Sequence, residues 1–82
     1  MKRPGPIVEI QWVDSTGRSD WHDPQQAVDL DGLLECVSVG YLISETPRSV
    51  TISQGSGSMG NYLSSMAIPR VAIVKLTQVR KR

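Results

Sequence analysis

The segment Leu34-Glu35-Cys36-Val37-Ser38-Val39-Gly40-Tyr41-Leu42-Ile43-Ser44 constrains the chain more than any other, because it is long, rich in β-forming residues and interrupted by a glycine near its middle. Such a run predicts a strand with a strong bend or bulge at Gly40, of the kind that curls a sheet toward a barrel.

Other segments read as partners for it. After Pro4-Gly5-Pro6, which disfavours regular structure, Ile7–Val13 alternates apolar and polar residues. Successive side chains of a strand point to opposite faces, so Val8, Ile10 and Trp12 share one face and Glu9 and Gln11 the other. Glu45-Thr46-Pro47-Arg48 predicts a turn, Ser49–Ser53 a short returning strand, and Gln54–Asn61 a flexible polar loop. Ser65–Ile68 resumes the sheet. Pro69 cannot donate a ladder hydrogen bond, so Pro69-Arg70-Val71-Ala72 fits one tight helical turn before a last apolar stretch from Val71 to Val79. Strand, single turn and final strand resemble the closing segment of SH3-like and Sm-like small barrels. The expected class is therefore mainly all-β: a small, strongly bent antiparallel sheet or SH3/Sm-like barrel of about five strands, with one long loop and a short helical turn. Residues 7–79 form the single domain, between a flexible segment 1–6 and a basic tail 80–82.

Composition sharpens this. At 82 residues the chain lies below the length at which domains divide, and with no Phe and 5% aromatic residues its core must be built from Val, Ile, Leu and Met around Trp12, Trp21, Tyr41 and Tyr62. One cysteine, Cys36, excludes an internal disulfide, and one Cys with one His cannot form the usual structural zinc site. Small cores lacking both staples are commonly completed by self-association, so a homo-oligomer is expected and no cofactor or metal is. Cys36 reads as a small buried side chain.

The formal charge of +1 is far from the basic excess of a dedicated nucleic-acid binder. Its distribution is uneven: Asp14, Asp20, Asp23, Asp29 and Asp31 all fall between Val13 and Gly32, whereas Lys2, Arg3, Arg80, Lys81 and Arg82 sit at the ends. Met1-Lys2-Arg3 is followed by no apolar run of a signal peptide, and no stretch of about 18 apolar residues is present, so a cytoplasmic protein with reduced Cys36 is expected.

The stretch from Asp14 to Gly32 carries most of the reactive side chains. Asp14-Ser15-Thr16-Gly17 is turn chemistry, and Asp23 followed by Pro24 predicts the N-cap and first residue of a short helix ended by Gly32. Loops of this length tend to be functional or disordered, and Trp21 within it predicts a docked loop. Asp14, Asp20, His22 and Asp23 match neither a calcium loop nor a zinc signature. Ser15, His22 and Asp23 hold the letters of a hydrolase triad, but Gly-x-Ser-x-Gly in a strand-turn-helix setting is lacking, so a non-enzymatic protein is expected. Gly55-Ser56-Gly57-Ser58-Met59-Gly60 offers bare amides that can wrap a phosphate, without the Gly-Lys-Ser/Thr ending of a Walker loop; Gly55, Gly57 and Gly60 would order over a ligand. Trp12 reads as a core anchor, and Trp21 as a cap on the barrel or a platform for a planar ligand.

Trp12-Val13-Asp14-Ser15, Trp21, Cys36-Val37-Ser38-Val39-Gly40-Tyr41-Leu42 and Ile68-Pro69-Arg70-Val71-Ala72-Ile73 together resemble a group of small uncharacterised proteins encoded by bacteriophages and prophages. The likeness runs from about Ile7 to Val79 and implies a setting, a phage product in the host bacterial cytoplasm, rather than an activity. In that setting the expected function is an accessory binding protein that inhibits or sequesters a host factor, including an anti-defence sponge for nucleotide messengers. Asp14, Ser15, Trp21, His22, Ser38 and Arg70 are then its ligand-binding residues, with Arg18, Arg48 or Arg70 offsetting the acidic loop. The alternatives are an Sm-like RNA-binding ring and a minor structural or assembly protein of the virion.

Overall fold

The computed structural model describes residues 5–16, 19–29 and 32–80, with side chains to Val79. Five strands and one short helix follow in the order β1 (Ile7–Asp14), α1 (Pro24–Val28), β2 (Leu34–Glu45), β3 (Ser49–Ser56), β4 (Tyr62–Pro69) and β5 (Ile73–Arg80), with a 3-10 turn at Arg70–Ala72 between the last two. All pairings are antiparallel, and the sheet order is β4-β3-β2-β1-β5. The fold is thus the mainly β, five-stranded one that the sequence predicts, and no helix among the described residues is long and apolar enough to cross a membrane.

Alternation in β1 places Val8 and Ile10 in the core, and the β3–β4 ladder brings Val50 opposite Ile68 and Ile52 opposite Met66. Val8, Ile10, Val50, Ile52 and Ile68 are the buried hydrophobic residues, with Trp12, Leu42, Ile73 and Leu76 packed around them. Trp12 therefore does border the core. Trp21 does not: it is fully exposed, so the expectation of a docked loop is corrected, and Tyr62 is exposed as well.

The sheet bends as Gly40 predicts. A Cβ on Gly40 would stand 2.6 Å from the Ser53 carbonyl oxygen, so β3 crosses β2 at a distance that only glycine permits. A register shift between Leu42 and Ser44 adds a bulge in the same region. The other end of the sheet forces curvature too. β4 and β5 are its opposite edges, yet only Arg70–Ala72 joins them. A link from Pro69 to Ile73 reaches about 14 Å, whereas four flat inter-strand steps span about 19 Å. The edges must curl toward each other, and no ladder joins β4 to β5 among the described residues.

The strands run beyond their expected bounds. β3 continues to Ser56 and β4 starts at Tyr62, leaving a short turn in which the Gly57 N–H donates to the Asn61 carbonyl (2.8 Å) and the Gly60 N–H to the Gly57 carbonyl (3.0 Å). The segment expected to be a flexible loop is a hydrogen-bonded hairpin end. At the chain start, the Pro6 carbonyl accepts the Leu42 N–H (2.8 Å), which extends the β1–β2 ladder into residues expected to be loose. Arg80 belongs to β5 rather than to a tail, and residues 1–4, Gly17, Arg18, Leu30, Asp31, Lys81 and Arg82 lie outside the described residues.

The result is an elongated molecule measuring 55 × 23 × 20 Å. Its radius of gyration is 16.3 Å, against about 12 Å for a compact domain of this length. Its accessible surface is 6191 Å², against about 4,900 Å² for a folded monomer of the same mass.

Candidate functional site

Two features stand out, an arm between β1 and β2 and a cleft beside β2 and β3. The arm is the connection between β1 and β2, anchored where Asp14 pairs with Leu34. The Asp14 carboxylate accepts the Ser15 N–H (2.8 Å), and the Thr16 hydroxyl donates to the Gly32 carbonyl (3.1 Å). Beyond it, α1 starts as the sequence predicts: Asp23 is the N-cap and Pro24 opens the helix. The Asp23 carboxylate accepts the Gln26 N–H (2.9 Å) while the Gln26 side-chain oxygen accepts the Asp23 N–H (3.0 Å), a reciprocal capping box. The helix ends at the cap residue Asp29, before Gly32. None of its residues is buried. Five residues of helix gain little from propensity alone, so this one is held by its cap. Trp21, Val28, Leu33 and Leu34 are exposed along the same arm.

The cleft has a volume of about 690 Å³. Val37, Ser38 and Val39 line one wall, Ile52, Ser53 and Gln54 the other, and Ser64, Ser65 and Met66 complete it. Three consecutive residues from each strand face it. Alternate side chains point to opposite sides of a strand, so consecutive lining marks a gap seen edge-on, between strands that have parted. The registers explain the parting. β2 pairs with β1 from Leu34 to Tyr41 but with β3 only from Tyr41 onward, while β3 goes on pairing with β4 as far as Ser56. Gly40 is the point at which β3 leaves β2.

The Ser53 side chain, buried at that point, lies within hydrogen-bond distance of the Gly55 and Leu63 carbonyls (2.8 and 2.7 Å) and of the Gly55 N–H (3.4 Å). It thus bonds backbone groups of the paired residues Gly55 and Leu63 where β3 runs on with β4 alone. Ser64, on the cleft, has a φ of 55°, an unusual backbone for a residue with a side chain. Across the cleft wall, the Trp12 indole N–H donates to the Ser38 hydroxyl (2.9 Å).

The residues that the sequence points to do not converge. Asp14, Ser15, Trp21 and His22 belong to the arm, where the His22 Nδ1 lies 2.8 Å from the Asp20 carbonyl oxygen. Ser38 lies four residues along β2 from Leu34, or about 13 Å. Arg70 sits at the far end of β2: its Nε donates to the Thr46 carbonyl (2.9 Å), and its guanidinium lies 3.5 Å from the Glu45 carboxylate. Glu45 is eleven residues from Leu34, roughly 36 Å along a straight strand. Arg70 therefore ties the 3-10 turn to the β2–β3 hairpin.

The N–H groups of Gly55, Gly57 and Gly60 all have acceptors within the chain, so these amides are not the bare ones that wrap a phosphate. Among the described residues no group of three His, Cys, Asp or Glu side chains is placed to hold a metal ion. Asp23 and His22, two letters of a triad, are engaged in the helix cap and with Asp20. Sequence reasoning named Ser38 but missed the rest of the cleft, because the cleft comes from the shared register of β2 and no local motif encodes it. Compared with known proteins, the chain matches no family model, no curated protein and no solved structure.

Proposed function

We propose that this chain is a non-catalytic, self-associating binding module that engages a protein target through its arm. The observation that supports this most directly is Trp21, fully exposed on an arm whose helix buries nothing. A tryptophan in that position costs solubility and contributes nothing to the fold, and large aromatic side chains are the usual anchors of protein interfaces. The same arm carries Asp14, Asp20, Asp23 and Asp29, negative charge that favours a target with a basic surface. In the phage setting that the sequence resemblance implies, the target is a host factor whose action is blocked or sequestered.

A photo-crosslinking residue in place of Trp21 tests this reading in bacterial cytoplasm. One specific adduct is expected, absent when the same probe replaces the exposed Met59 at the β3–β4 hairpin end. No adduct at position 21, or the same adducts at both positions, would overturn it. The sponge version of the reading calls for a nucleotide ligand, but the cleft is lined by uncharged side chains. Titration calorimetry against cyclic di- and trinucleotides and ADP-ribose derivatives separates the two versions, and no heat is expected.

One observation favours an Sm-like RNA-binding ring as a second reading: a lone 3-10 turn links the two edge strands of a five-stranded bent sheet. Such a ring binds RNA with a steep loss of affinity as salt rises. No shift of labelled RNA at low salt removes this reading.

A further inference from the structure

The edge of β2 that β3 abandons has its own hydrogen-bonding pattern. Because the Leu42 N–H donates to Pro6, the even-numbered residues of β2 direct their backbone groups toward β1. The odd-numbered ones direct theirs the other way. Tyr41, one of these, is taken up by Ser53 of β3. Glu35, Val37 and Val39 then present their N–H and C=O groups on the side away from β1, Val37 and Val39 to the cleft, and no strand among the described residues pairs with them on that side. Val37 and Val39 are 64% and 55% exposed. An unpaired strand edge carrying exposed valines is a template for another strand.

We propose that a second copy of this chain occupies this edge, β2 pairing antiparallel with β2 of its partner about a two-fold axis at Val37. This rests on the self-associating reading above and names its interface. The edge is its own complement. Centring on Val37 sets Val37 against Val37 of the partner subunit, and Glu35 against Val39 of the partner subunit. All three open residues are used, and each pair exchanges both of its backbone bonds. Centring on Glu35 would oppose two carboxylates, which destabilises a pair. Centring on Val39 would call on Tyr41, which already belongs to β3. The valines that a monomer leaves in water are covered across the axis, and the molecule has the excess surface and the small core of a subunit. β4 and β5 are open edges too, but the turn at Arg70–Ala72 holds their near ends together, so the chain itself turns those edges toward each other. Among the described residues every strand is already engaged in the sheet, and none pairs with this edge.

The test is a chain of 82 residues assembled with an Nα-methyl group on Val37. The methyl removes one cleft-facing N–H and leaves the β1–β2 ladder, which uses the even residues, intact. Light scattering should give twice the 9.0 kDa monomer mass for the unmodified chain and half of that for the methylated one, with the same circular dichroism. Should the methylated chain not fold, Val37→Lys gives the same answer, since it places like charges face to face at the axis; Val37→Thr should stay a dimer. If the unmodified chain self-associates and both blocking changes leave its mass unaltered, the β2 edge is not the interface, and capture of an extended segment of an unrelated protein there becomes the alternative. A monomeric unmodified chain removes self-association altogether.

Discussion

The indole N–H of Trp12 donates to the Ser38 hydroxyl at 2.9 Å, across the β1–β2 ladder and beside the cleft. The bond is diagonal, since Trp12 pairs with Cys36 and Ser38 with Ile10. It fixes the largest side chain at the rim of a core that has five buried hydrophobic members among the described residues. Ser38→Ala leaves a half-buried donor without its acceptor, and the expected loss of unfolding free energy is about 1 kcal/mol. Denaturant titration in a Trp21→Phe background, where Trp12 is the sole indole, measures it. An unchanged midpoint would show that the bond is immaterial.

Gly40→Ala is expected to cost more. Its Cβ meets a backbone oxygen at 2.6 Å, which cannot swing aside as a side-chain end can. The loss should be about 1–3 kcal/mol. Gly32→Ala is the control, because nothing lies within 4 Å of its added Cβ, and it should stay within about 0.5 kcal/mol of the parent. Equal stability of the two variants would mean that β3 does not cross β2 as described.

Asp23→Ala removes one half of the capping box, an effect of about 1 kcal/mol on a helix. No residue of α1 is buried, so the effect stays local. Hydrogen exchange should show faster exchange of the α1 amides with no change in the strands. A fall in global stability would mean that the arm packs on the sheet after all.

Trp21→Ala should leave thermal stability within the small range of surface substitutions, about 0.5 kcal/mol, while abolishing engagement of the proposed target. Iodide should quench Trp21 in the free protein and spare it in the complex. A destabilised variant would place the ring in the core instead.

Much of this fold is local and therefore visible in the sequence. The bend at Gly40, the break and turn at Pro69, and the Asp23-Pro24 helix start all follow from what single residues can and cannot do with their backbones. The β3–β4 end was not legible. Gly57, Ser58 and Gly60 have the composition of a flexible loop, and only backbone bonds from Gly57 to Asn61 make it a hairpin. Trp21 was misplaced for a related reason: an aromatic residue in a polar stretch suggests burial, but burial needs a partner surface, and Trp21 is fully exposed here. The cleft is the least local feature of all. It exists because one long strand shares its length between two partners, which is decided by registers many residues apart. Ser38 was legible as a polar residue on an apolar strand, but its neighbours in the cleft were not.

Self-association is the central claim, drawn from a small core, an extended shape and an open strand edge. Sedimentation equilibrium over a wide range of protein concentration tests it most directly. The account predicts a species of at least twice 9.0 kDa that dissociates on dilution; a single 9.0 kDa species up to high micromolar concentration would contradict it.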